Sequence, residues 1–174
     1  LETALLENEV DIALAILFKQ KHFFETRHYL TFERTIVATP EYLDKHGPVH
    51  SYRDLLGLDF IGFMARMEDF KFWLTKNGQK DMIKEVEKLS PHITVKDVNT
   101  AHALIKRGVG IGFSESLALS QEIESGLLIK VIPDSEPIFV KIDIARRQVR
   151  TPTLLIDTFH RFLLERASET SEKN

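Results

Sequence analysis

Cysteine is absent from this 174-residue chain, so disulfides, thiolate nucleophiles and cysteine-ligated metals are excluded. No apolar run approaches the roughly 20 residues that a membrane-spanning helix needs, and no secretory leader is recognisable at the start. Basic clustering is also missing. The net charge is −3, the lysines and arginines are scattered, and the Arg146-Arg147 pair reads as solvated surface. This segment alone therefore carries no electrostatic footprint for nucleic acid. Seven histidines (22, 28, 46, 50, 92, 102 and 160) include one His-x-x-x-His spacing, His46 and His50, broken by Gly47-Pro48, and one Glu-x-x-His spacing, Glu25 and His28, in the polar connection; neither pair lies within one predicted helix, so no metal site is expected. Ser51, Ser114 and Ser116 lack a nucleophile-elbow context, and neither a P-loop nor paired carboxylates occur. Enzymatic chemistry has no visible constellation, and no cofactor is expected.

What is present is a chain 43% hydrophobic and 28% charged, enough for one substantial core or two small lobes. Residues 2–8 read as the end of a helix and Asp11–Leu17 as a buried strand, followed by a polar and aromatic connection from Lys19 to His28. Tyr29–Ala38 reads as one or two strands. Thr39 then caps a short helix with Pro40 at its first position, ended by Gly47-Pro48. Ser51 and Asp54 have capping-box spacing before a helix reaching Leu56, and Asp59–Phe63 is the next strand. Met64 to Leu89 reads as a polar hairpin region with turn chemistry at Asn77-Gly78. A helix over Ser116–Ile123, a strand over 127–132 and a long strand over Ile138–Ala145 follow. Thr151 and Pro152 start a last helix with Leu155, Ile156, Phe159, Phe162 and Leu163 at helical spacing, and the tail from Ser168 is polar. Alternating strands and helices predict an α/β fold with mostly parallel sheets.

The most informative stretch lies between these elements. Residues 93–98 read as a strand ending in polar groups, and 100–107 as a short helix. Asn99 or Thr100 is expected to cap that helix, and Gly108 to end it in the left-handed conformation. Strand 109–113 follows. The Gly108-Val109-Gly110-Ile111-Gly112 string is not a dinucleotide fingerprint. Phe113 stands where the third glycine is required, and the glycines follow a helix rather than a strand.

This block resembles the effector-binding domain of LysR-type transcriptional regulators, and the likeness continues along nearly the whole chain. Leu5-Leu6-Glu7-Asn8-Glu9-Val10-Asp11-Ile12-Ala13-Leu14 is similar to the family's helix end and first short strand. Ile36-Val37-Ala38-Thr39-Pro40-Glu41-Tyr42-Leu43 is similar to its strand followed by Pro-x-Tyr-Leu. Asp54-Leu55-Leu56, Phe60-Ile61-Gly62-Phe63, Trp73 in a hairpin region and Gly126 to Ile132 follow in the family's order.

The resemblance implies a two-lobed, type II periplasmic-binding-protein-like α/β fold, with lobe I at residues 1–39 and 140–174 and lobe II at 40–139. The family's lobe I opens with a strand and a helix that have no counterpart here, and its winged-helix DNA-binding domain would lie further upstream. The resemblance also implies a cytoplasmic homodimer or homotetramer that takes a small-molecule effector between its lobes. It would contact DNA only through the absent domain.

By the family's pattern the ligand-binding candidates are Asn99 and Thr100 at the helix start, and Phe113 and Ser114 at the strand end. Ile16 and Leu17 after the first strand, and Phe63, would supply apolar lining. Glu115 stands where the family usually has proline. A carboxylate there would repel an acidic effector or grip an amine, although a solvated helix cap is the simpler expectation. The alternative function is a periplasmic solute-binding protein serving a transporter, since this fold serves both.

Overall fold

The computed structural model describes residues 1–63, 67–148 and 153–171. It divides into two compact units, Leu1–Phe32 with Phe139–Asn174, and Glu33–Ile138. The first cut falls inside a single 15-residue strand.

Unit 1 contains α1 (Glu2–Leu6), β1 (Ile12–Ala15), the first part of β2 (Phe24–Ala38), most of β7 (Ile138–Arg147) and α7 (Leu154–Ser171). β7 lies between β1 and β2, and β1 pairs with it antiparallel, Ile12 opposite Arg146. Leu5, Ala13, Phe18, Phe24 and Ala145 form the core, with the Phe18 and Phe24 rings 6.0 Å apart. β1 is shorter than predicted and half wet: Leu14, Ile16 and Leu17 are exposed. Glu25–His28 belong to β2 rather than to a connection. On α7 the predicted apolar stripe is not the buried one. His160 and Ala167 are buried, whereas Leu155, Phe159 and Phe162 are exposed. The predicted start at Thr151-Pro152 lies outside the described residues; α7 itself continues through Ser171, past the predicted tail boundary.

Unit 2 holds the rest of β2, α2 (Pro40–His46), β3 (Ile61–Phe63), α3 (Glu68–Lys76), α4 (Ile83–Val86), β4 (Ile93–Val95), α5 (Val98–Lys106), β5 (Gly112–Glu115), α6 (Ser116–Glu124) and β6 (Ile129–Lys130). Thr39 caps α2 through its hydroxyl, which accepts from the Tyr42 N–H at 3.2 Å. Asp54 accepts from the His50 and Ser51 N–H groups at 2.9 and 2.8 Å, completing the start of a 3-10 turn over Tyr52–Gly57. The core gathers Val37, Ile61, Ala101, Ile105, Leu119 and Leu128. Fully burying one such aliphatic side chain is worth about 1.5–3 kcal/mol.

Two expectations fail here. The polar hairpin is helical: Phe70, Trp73 and Leu74 recur at helical spacing, and all three are buried. Glu68 and Asp69 open α3 and Lys76 closes it, complementing the helix dipole. Asn77 donates to the Trp73 carbonyl at 2.9 Å, and Gly78 turns the chain at φ 76°. The sheets are also not mostly parallel. Among the described ladders, β1–β7, β2–β5 and β2–β6 are antiparallel and β3–β4 is parallel. β2 is one long strand that pairs antiparallel with both β5 and β6, so a strand takes the place of a helical crossover.

Candidate functional site

The start of α5 is capped by Asp97, not by Asn99 or Thr100. The Asp97 carboxylate accepts from the backbone N–H of Asn99 at 3.1 Å and of Thr100 at 2.7 Å, and from the Thr100 hydroxyl. These bonds hold the Asp97 carboxyl below the ordinary carboxylate range. Asn99 and Thr100 sit in the first turn with exposed side chains, and the Thr100 hydroxyl is spent on the cap. Gly108 ends the helix as predicted, at φ 65°. Gly110 has a different reason to be glycine: a Cβ there would lie 2.2 Å from the Asp59 carbonyl oxygen.

β5 then delivers alternate side chains in opposite directions. Ser114 is buried against β2, its hydroxyl donating to the Thr35 carbonyl at 3.4 Å. Phe113 and Glu115 instead line a cavity of about 30 Å³, whose other walls include Arg34, Phe70 and His102. Asp69 stands at its exposed side and Phe60 packs tilted on Phe70, ring centroids 5.2 Å apart.

The charges in this cavity form one connected cluster. Arg34 on β2 reaches Asp69 of α3 through Nη1 at 2.8 Å and Glu115 of β5 through Nε at 3.2 Å. Its guanidinium lies over the Phe113 ring, 5.0 Å from the centroid. Glu115 gives its second oxygen to Nε2 of the buried His102 on α5. Glu115 is thus a half-buried ion-pair partner at the N-cap of α6, not a solvated cap.

Of the sequence-predicted residues, Phe113 lines the cavity. Asn99 and Thr100 lie in the same turn of α5 as the wall residues Val98, Ala101 and His102, and neither lines the cavity. Phe63 ends β3 opposite Val95, and its side chain lies outside the described set. Ile16 and Leu17 belong to unit 1, in the segment after β1. Arg34, Asp69 and His102 were not anticipated. The one sequence signal was His102, which interrupts the apolar face of Ala101 and Ile105. Among the described residues no group of three potential ligands could hold a metal ion, and no helix is long and apolar enough to cross a membrane.

A family model described as the LysR substrate binding domain matches residues 1–168. The chain belongs to that family. The HTH-type transcriptional regulator CrgA of Neisseria meningitidis serogroup C is 28% identical over 130 residues, 75% of this chain and 42% of CrgA. The chain thus spans less than half the length of that relative. The solved regulatory domain of N. meningitidis CrgA, a LysR-type transcriptional regulator, is 25% identical with a TM-score of 0.75, covering 94% of this chain and 78% of that one. The effector domain of the Pseudomonas aeruginosa regulator AmpR aligns with a TM-score of 0.73 at 18% identity, over 97% and 77% of the two chains. The LysR substrate-binding domain has the two-lobed, type II periplasmic-binding-protein-like α/β fold of these neighbours. They are regulators, not transporter-binding proteins.

Proposed function

We propose that this domain is the sensor of a LysR-type DNA-binding regulator, binding a small-molecule effector and passing the event to a winged helix-turn-helix domain outside this chain. Unit 1 is assigned to lobe I and unit 2 to lobe II. The observation that carries the reading is the cavity of unit 2, where β2, α3, α5 and β5 each contribute one charged or titratable side chain against aromatic walls. Convergent polar groups on an apolar lining are the usual form of a small-molecule site. Phe113 is a proposed contact of this cavity. Asn99, Thr100, Ile16 and Leu17, which do not line it, and Phe63 remain proposed effector residues by the family's pattern alone, and Ser114, proposed with them, is turned onto the Thr35 carbonyl instead. Signalling requires that the effector prefer one arrangement of the domain over another, because equal affinity shifts nothing. A cytoplasmic homodimer or homotetramer belongs to the same proposal.

The test is a metabolite screen by thermal shift on the 174-residue chain. An effector at a hundred times its Kd raises the melting temperature by about 5–10 °C. Gel-shift assays of the same chain should show no sequence-specific DNA complex. Tight, specific DNA binding by these residues alone would overturn the reading.

A further inference from the structure

We propose that the effector seats an uncharged carbonyl oxygen in the unit 2 cavity, where Arg34 lacks an acceptor; this deepens the sensor reading and rests on it. Three observations point to that group. The first is a missing bond. Arg34 Nε is a buried donor with no hydrogen-bond partner among the described residues. Glu115 Oε1 lies 3.2 Å away, close enough for an ion pair but too far off line to accept that hydrogen. A buried donor left unpaired costs stability, and an oxygen that accepts from it recovers the loss. The residue that carries this donor is a wall of the cavity.

The second observation is that the charged groups already hold one another. Asp69 pairs with Nη1 of Arg34 at 2.8 Å, and Glu115 is shared between Arg34 and His102. An ammonium would have to compete with Arg34 and His102 for those acids. A ligand carboxylate would have to compete with both acids for one guanidinium. With the two acids ionised, the cluster carries no net positive charge whichever state His102 takes, so it offers an anion no net attraction. A carbonyl oxygen accepts from Arg34 and displaces neither acid.

The third is the shape and lining of the space. Phe60, Phe70 and Phe113 line the cavity, with Phe60 edge-on to Phe113 at 6.1 Å. The Arg34 guanidinium itself lies over the Phe113 ring. A hydrogen bond made against such apolar walls gains more than one made in water. A cavity of about 30 Å³ holds a group about the size of a water molecule, which fits a carbonyl oxygen and excludes a whole metabolite. The remainder of the effector would extend past the exposed Asp69.

Ligand-observed NMR gives dissociation constants for three probes of equal chain length: 2-hexanone, 2-hexylammonium and hexanoate. The expected order is 2-hexanone tightest, about tenfold tighter than either ion. Arg34→Lys keeps a positive charge beside Asp69 but removes Nε, and should weaken 2-hexanone about tenfold. Glu85→Gln, on an exposed pair with Arg53, should leave it unchanged. Far-ultraviolet circular dichroism checks that each variant folds. If Arg34→Lys fails to fold, the Arg34 Nε–H resonance of the unaltered protein decides, and 2-hexanone should move it downfield as the hydrogen bond forms. Either ion binding as tightly as 2-hexanone overturns the carbonyl assignment. So does 2-hexanone binding that ignores Arg34→Lys or leaves the Nε–H resonance in place, and so does no binding of 2-hexanone at all. The sensor reading fails separately, when the metabolite screen finds no stabilising ligand of any chemistry.

Discussion

Each unit contains an arginine held by two carboxylates beside a buried histidine, and the two clusters are built differently. In unit 1, Arg146 of β7 pairs with Glu25 of β2 at 2.9 Å and Asp157 of α7 at 3.0 Å. Both of those carboxylates are more than a third exposed, whereas the histidine, His160, is 3% exposed with no hydrogen-bond partner for Nε2. In unit 2 the histidine is bonded to a carboxylate, and that carboxylate, Glu115, is the less exposed of the two acids at 18%. The unit 1 cluster braces α7 onto two strands and closes upon itself. The unit 2 cluster surrounds a cavity. The same residue types therefore serve as a brace where the acids face water, and as a binding surface where an acid is turned inward.

Removing each arginine should separate the two roles. Arg34→Met leaves Glu115 buried with only His102, and should cost about 1–3 kcal/mol in urea unfolding. Adding Glu115→Gln should recover most of that loss, because the stranded charge is gone. An equal loss in the double variant would mean that Arg34 acts by packing on Phe113.

The next effect is pH-dependent and belongs to unit 1. Burial lowers the His160 pKa from the ordinary 6.5, and the Arg146 charge lowers it further. The unfolded chain then binds more protons than the folded one between the folded pKa and 6.5. Stability should fall as pH drops through that window, level off below it, and be unchanged above it. His160→Phe should flatten this dependence in a pH series of unfolding curves. A dependence that persists in the variant would assign it elsewhere.

Arg146→Met should give the smallest change, below about 1 kcal/mol, since Glu25 and Asp157 are already wet. It should also narrow the His160 window from its lower end by removing a neighbouring positive charge. A loss larger than that of Arg34→Met would invert the comparison.

Local signals were readable in the sequence. Thr39-Pro40, the Ser51–Asp54 spacing and Gly108 each act within a few residues, and each stands where expected. The segment from Glu68 to Lys76 was misread because turn residues at Asn77-Gly78 outweighed the Phe70, Trp73 and Leu74 spacing. Asp97 was overlooked as a cap because the polar run around it offers several capping residues at adjacent positions. The cavity was the least legible part. Arg34, Asp69, His102 and Glu115 come from four elements, and no periodicity links residues so far apart in the chain. Only Glu115, out of place against the resemblance, hinted at an inward carboxylate.

The most direct test of the account follows the histidine ring resonances of His102 and His160 by NMR while an effector from the metabolite screen is titrated into the chain. Binding in the unit 2 cavity predicts that the His102 resonances move with ligand concentration while those of His160 stay in place. Movement of His160 with His102 unchanged would contradict it and transfer the ligand site to unit 1.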